Sequence, residues 1–287
     1  MMRLLWILLL LPFGMNAQFN VMTYNIRLGS VDDGPNHWDI RKEKLRDLMD
    51  YYDCGIYGLQ EAQLPQIKYL LEGLKGYGVS GKPRTLDANA EYSCILYDTT
   101  RFRVSEEKTL WLSTRPDTIS LGWDARIPRV ASYALFEDKE KKDRFWLINT
   151  HFDHQGLVAR FESAKQLVKL AKELSLSQKL PVILMGDFNA RPTENTIQVL
   201  KEVFFDTREY SLTKAYSGPD TWNGFQFDSL PDGQIDYIFI YDPASKMRVY
   251  KHATLMDHYD HKYPSDHFPV MIQTGFFVAN PKKSGYW

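Results

Sequence analysis

Asn25, Glu61, His151, Asp187, Asn189, Asp236, Asp266 and His267 all stand at or near the ends of stretches that read as strands. Strand ends that converge on one rim of a sheet commonly form a site. Glu, Asp and Asn supply oxygen donors, which suit a hard cation such as magnesium or manganese; zinc favours more His or Cys. Donors of that kind point to phosphate chemistry.

Two segments are hard to explain as packing alone. In Leu184-Met185-Gly186-Asp187-Phe188-Asn189 a carboxylate and an amide follow an apolar strand two residues apart, so both face the same way if the extension continues. In Pro264-Ser265-Asp266-His267-Phe268-Pro269 an Asp–His pair lies between prolines, whose fixed torsions imply a rigidly held pair.

The elements that must position these groups follow from periodicity. Residues 19–25 alternate apolar and polar side chains as a half-buried strand does, and Leu45, Leu48, Met49 and Tyr52 recur at helical spacing. Short strands are expected at 55–60, ending at Glu61, and at 92–97, 131–136 and 145–150, the last delivering His151. Leu157 to Leu174 carries one apolar stripe of a helix. Residues 181–186 read as a fully buried strand with Asp187 at its end, and 235–241 and 268–273 as the last strands. No self-similar period appears, which argues against a solenoid or propeller. Strands outnumber helices, favouring two packed sheets with helices outside over an open three-layer sheet.

At 287 residues with ordinary hydrophobic and charged fractions the chain suits one compact domain. A net charge of −1 gives no global attraction to a polyanion, arguing against a protein whose main task is gripping long nucleic acid. Arg3, the apolar run Leu4 to Leu11 and the small Ala17 have a signal-peptide layout, too short for a bilayer span, so 1–17 is expected to be a signal peptide and the product secreted or periplasmic. Cys54 and Cys94, in apolar strand-like surroundings, read as small buried hydrophobes rather than bridge partners.

Taken in order, Thr23-Tyr24-Asn25-Ile26-Arg27, Gly58-Leu59-Gln60-Glu61, Asn149-Thr150-His151, Gly186-Asp187-Phe188-Asn189, Ile235-Asp236-Tyr237-Ile238-Phe239 and Ser265-Asp266-His267 resemble the motifs of the endonuclease/exonuclease/phosphatase superfamily. The resemblance spans nearly all of 18–287. It implies a DNase I-like α/β fold, a four-layer α-β-β-α sandwich of two mainly antiparallel sheets with outer helices, and a site at one end of the sheets. By the same resemblance Glu61 is the principal ligand of Mg2+ or Mn2+, with Asn25 beside it and Asp266 a second acidic contact. Asp187 and Asn189 position or deprotonate the attacking water, and His267, oriented by Asp236, binds phosphoryl oxygens. The resemblance also sets Glu91 against His151 and makes Arg129 a phosphate clamp.

The physical requirements run parallel. Hydrolysis of a phosphate ester needs its transition-state charge neutralised, which a metal and a cationic His provide, and a carboxylate to take the proton of water. An Asp on one imidazole nitrogen fixes which nitrogen faces the substrate and favours the protonated ring. Trp38, Arg41, Trp123, Asp124, Trp222 and Asn223 are assigned to packing and loops, although the Trp rings could stack a base or sugar. His37, His154, His252, His258 and His261 are expected at the surface.

The expected function is therefore metal-dependent hydrolysis of a phosphate ester by a monomer without stable membrane insertion. The substrate stays open among nucleic acid, nucleotide, phospholipid headgroup and sugar phosphate. A catalytically silent binding module on the same fold is the alternative. A glycosidase using Glu61 and Asp187 falls behind both, because it leaves the His-containing segments without a task.

Overall fold

In the computed structural model residues 18–277 are described. The expected signal peptide lies outside the described residues, among which no helix is long and apolar enough to cross a membrane. The chain runs β1 (Phe19–Asn25), α1 (Trp38–Tyr52), β2 (Ile56–Gln63), α2 (Leu64–Gly73), β3 (Tyr77–Ser80), β4 (Glu91–Asp98), β5 (Phe102–Trp111), β6 (Val130–Asp138) and β7 (Arg144–His151). It continues through α3 (Leu157–Leu176), β8 (Val182–Asp187), α4 (Asn195–Lys201), β9 (Phe205–Asp206), α5 (Thr207–Tyr210), β10 (Asp236–Tyr241), β11 (Met247–Thr254) and β12 (Val270–Phe276).

The strands form two six-stranded sheets, ordered β11-β12-β1-β2-β4-β3 and β5-β6-β7-β8-β10-β9. Alternation along each strand produces the layers. Val21, Ile56, Ile183, Met185 and Ile238 point between the sheets. Their neighbours Met22, Tyr24 and Tyr57 pack under α1 and α2, while Val182, Leu184 and Phe239 pack under α3 and α4. This is the expected α-β-β-α sandwich. Each fully buried apolar side chain contributes about 1.5–3 kcal/mol, and these three cores offset the cost of clustering buried charges at one end.

Topology explains why the polar groups gather there. Each sheet has one parallel ladder, β1 with β2 and β7 with β8, joined through a covering helix; the other ladders are antiparallel. The parallel strands end at the edge where their antiparallel neighbours begin. Asn25, Glu61, His151 and Asp187 arrive at that edge on outgoing strands, and Arg129, Glu91, Asp236 and the Asp266–His267 segment precede or open returning ones.

Glu61 departs from the expected strand end. β2 runs past it to Gln63, and the register with β4 shifts between Leu59 and Ala62, leaving Glu61 in a bulge at φ 58°. Phe102–Trp111 was not readable as a strand because its middle is an exposed polar edge. His252, expected at the surface, is buried: it takes an inward position of the alternating β11, with Nδ1 on Thr207 Oγ1 at 3.0 Å. Cys54 and Cys94 are buried and unbridged, as their surroundings implied.

Gly186 is held at φ 149°, and a Cβ there would meet Thr150 O at 2.0 Å. Gly186→Ala must either part β7 from β8 or leave a disfavoured torsion, so a loss of roughly 3 kcal/mol or more is expected. Urea unfolding would measure it, and a loss below about 1 kcal/mol would show that the backbone relaxes.

Candidate active site

The converging edges surround a cleft of about 450 Å3 lined by Glu61, Glu91, Arg129, His151, Asp187, Asn189, Asp266 and His267, together with Arg27, Arg84, Arg191 and Trp222. Asp187 Oδ2 is its geometric centre. It accepts from Asn25 Nδ2 at 3.0 Å and lies 3.4 Å from His151 Nε2 and 3.9 Å from His267 Nε2. Register accounts for this, since Asp187 is flanked by His151 on β7 and by Asp236 on β10.

Asn189 reaches the site differently from the expected extension. Its φ is 47°, so the chain turns back after Asp187. The turn lets its own N–H donate to Asp187 Oδ1 at 2.9 Å, while Nδ2 donates to His151 Nε2 at 3.0 Å and to Phe152 O at 3.1 Å. Asn25, on β1, bridges the two sheets through its bond to Asp187 on β8, and its Nδ2 also donates to Glu61 Oε1 on the neighbouring β2 at 3.1 Å.

The two histidines are held in opposite states. Burial, followed by the Arg129 and Arg84 charges, pushes His151 well below its ordinary value, so it is neutral. Burial also disfavours the His267 cation. The Asp236 carboxylate, 2.9 Å from Nδ1, with Asp187 and Asp266 nearby, outweighs it and raises His267 well above its ordinary value. Asp187 is pushed up to about 7, first by burial and then by the facing Asp236. Environments that drive neighbouring groups apart in this way are suited to acid–base work.

The donor set fits a hard cation. Glu61 accepts only two neutral N–H bonds, from Asn25 Nδ2 and from Leu28 N at 3.0 Å, which leaves lone pairs free. Asp236 Oδ1 is buried with no hydrogen-bond partner. Asp266 is raised by burial and by the Glu61 charge, against the lowering effect of His267. Such mutual repulsion is relieved by a bound cation. Asp187, Asp236 and His267 also offer ligand atoms within 4.8 Å of one another. Because Asp236 and His267 are already bonded to each other, Glu61 with Asp266 is the better seat.

One expected contact differs. Glu91 lines the cleft, but its carboxylate pairs with Arg84 instead of His151. Arg129 is buried, with Nη2 3.1 Å from His154 Nδ1, and its Nε lies 3.6 Å from Asp153 Oδ2. It thus combines a cleft-lining position with a buried ion pair. His154 is exposed as expected, yet borders the cleft.

Further groups, given no catalytic role from the sequence, hold the site in place. Beneath the site, Gln60 Nε2 donates to Asn149 Oδ1 at 2.6 Å, and Asn149 Nδ2 donates to Leu59 O and Cys94 O, tying the sheets together. Gly58 makes room, since a Cβ there would lie 2.7 Å from Asn149 Oδ1. An amide inside an otherwise apolar strand was the available signal. Arg41 is buried and donates to Ile26 O, Arg27 O and Pro264 O, clamping the loops that carry Asn25 and Asp266. Asp124 caps α3 through Val158 N and Ala159 N, a structural task as expected.

The sequence model described as the endonuclease/exonuclease/phosphatase family matches residues 22–267. A solved mannosyl-6-phosphatase of Bacteroides thetaiotaomicron is 34% identical, with a TM-score of 0.85 over 90% of this chain and 100% of that one. The human Nocturnin catalytic domain with bound sulfate, 21% identical, shares the fold at a TM-score of 0.70 over 91% of this chain and 94% of that one. An uncharacterised protein of Acanthamoeba polyphaga mimivirus is 26% identical over 82% of this chain and 91% of its own length.

Proposed function

The chain belongs to the endonuclease/exonuclease/phosphatase family of phosphate-ester hydrolases, and from that premise we propose that it is an exported, divalent-cation-dependent phosphatase acting on small phosphate monoesters. The observation that carries the reading is the junction at Asp187, whose Oδ2 accepts from Asn25 Nδ2 at 3.0 Å and lies 3.4 Å from His151 Nε2 and 3.9 Å from His267 Nε2, with His267 Nδ1 on Asp236 at 2.9 Å. The cation, held by Glu61 and Asp266 with Asn25 beside them, supplies charge neutralisation at the phosphoryl group when bound. Mg2+ or Mn2+ suits these donors.

The protein's own groups do the rest. Asp187, fixed by Asn25 and by the Asn189 N–H, accepts the proton of the attacking water. His151, neutral and with its one acceptor nitrogen Nε2 taken by the Asn189 amide, fixes Asn189 beside Asp187. His267 donates from Nε2 to a phosphoryl oxygen while Asp236 holds Nδ1 and keeps the ring charged. Arg129 adds a cation to the lining of the cleft.

The similarity to a mannosyl-6-phosphatase supports a monoester, and the net charge of −1 gives no grip on a long polyanion. A panel of phosphate monoesters, diesters and plasmid DNA in magnesium buffer tests this. Inorganic phosphate is expected from monoesters, at rates roughly 100-fold above any diester cleavage. Nicking of DNA at a higher rate would replace a phosphatase with a nuclease, and no cleavage of any ester would sink the reading.

A further inference from the structure

One wall of the cleft has no part in the chemistry above. Trp222, Asp232 and Arg191 line it. Trp222 is 38% exposed, and the Arg191–Asp232 pair, 2.8 Å apart, is open to solvent.

These exposed groups are nevertheless fixed. The Trp222 main chain bridges to that of His267, and Asn223 N and Gly224 N donate to Asp266 O at 2.8 and 3.0 Å. Asp232 N donates to Trp222 O at 2.8 Å. Gly224, at φ +57°, lies against the indole, where a Cβ would come within 3.1 Å of Cζ2; Gly233, at φ +87°, lies as close to the Arg191 guanidinium. The wall is therefore tied to the same backbone that carries Asp266 and His267.

A part-exposed indole on the same cleft wall as a paired carboxylate and guanidinium suits a sugar ring. The C–H face of a pyranose lies on the indole, adjacent hydroxyls donate to the carboxylate, and their oxygens accept from the guanidinium. A nucleic-acid strand fits poorly, because Asp232, Asp220 and Glu194 surround Arg191 with negative charge and would repel further phosphates. Neutral hydroxyls meet no such repulsion.

Resting on the reading of the cleft as a phosphate-ester site, we propose that Trp222, Asp232 and Arg191 bind the alcohol half of the ester, and that this alcohol is a hexopyranose with neighbouring hydroxyls and no nucleobase. The test is calorimetric binding, in magnesium buffer, of three non-hydrolysable probes: a hexose 6-phosphonate, methylphosphonate, and the phosphonate analogue of AMP. Wild type should hold the hexose phosphonate at least about tenfold tighter than methylphosphonate, and Trp222→Ala and Asp232→Ala should each cut that advantage below roughly threefold. Both side chains are surface-exposed, so the variants should fold, which melting curves verify. Equal affinity for the hexose and methyl probes, an undiminished advantage in both variants, or preference for the nucleoside probe would overturn the proposal. Binding preference without hydrolysis would sink the phosphatase reading and leave the sugar subsite standing; hydrolysis without preference would do the reverse.

Discussion

Asp187→Asn is expected to lower kcat by about 1,000-fold while raising the melting temperature at pH 8 in metal-free buffer. The carboxyl is held up at about 7 by burial and then by Asp236, against about 3.9 in an unfolded chain. A group raised in the folded state stabilises the fold below its unfolded value and loses that contribution as pH rises through the folded one, here between about pH 4 and pH 7. Above that window the charged carboxylate facing Asp236 costs a few kcal/mol, which an amide avoids. The amide oxygen can replace only part of the acceptor capacity used by Asn25 and Asn189, a loss of about 1 kcal/mol that trims the gain without reversing it. Melts of both proteins at pH 5 and pH 8 should show the stabilisation chiefly at pH 8. A kcat within about tenfold of wild type would remove Asp187 as the proton acceptor.

The second large effect concerns His267 and Asp236. His267→Ala removes the cation assigned to the phosphoryl oxygen, and Asp236→Asn removes the charge that keeps the ring protonated against its burial. Each should slow single-turnover hydrolysis by about 100- to 1,000-fold. Because either change disables the same unit, the double variant should be little slower than the slower single variant. Losses that multiply would mean that Asp236 serves the site in some way other than through His267.

The strands were legible as apolar runs, alternating over 19–25 and continuous over 182–185. Which face looks inward was not, since Val21 and Met22, like Ile183 and Leu184, are all apolar and only the packed sheets separate them. Elements went unread where such a run breaks, as in Phe102–Trp111, or where a helix opens directly from a strand, as at Leu64–Pro65. At the site, strand-end position marked the residues that later met in one cleft, but it carried no information about partners. Glu91 goes to Arg84 because the segment preceding β4 folds back over it. Asn189 approaches through a left-handed turn rather than an extended strand. Arg84, Arg191 and Asp232 come from loops with no periodicity, so only tertiary structure brings them to the cleft.

Metal dependence is the most direct measure of the proposed chemistry. Protein stripped with EDTA and dialysed should release no phosphate from a sugar monoester, and magnesium titration should restore release along a saturable curve. Glu61→Gln, which keeps the shape but removes one charge from the oxygen cluster, should need at least about tenfold more magnesium to reach half its maximum. Its melting temperature in metal-free buffer should change little, because relieved repulsion with Asp266 offsets the loss of one of the two hydrogen bonds that Glu61 accepts, from Asn25 Nδ2 and Leu28 N. Full phosphate release in excess EDTA, or an unshifted magnesium requirement in Glu61→Gln, would contradict a cation held at this edge of the sheets.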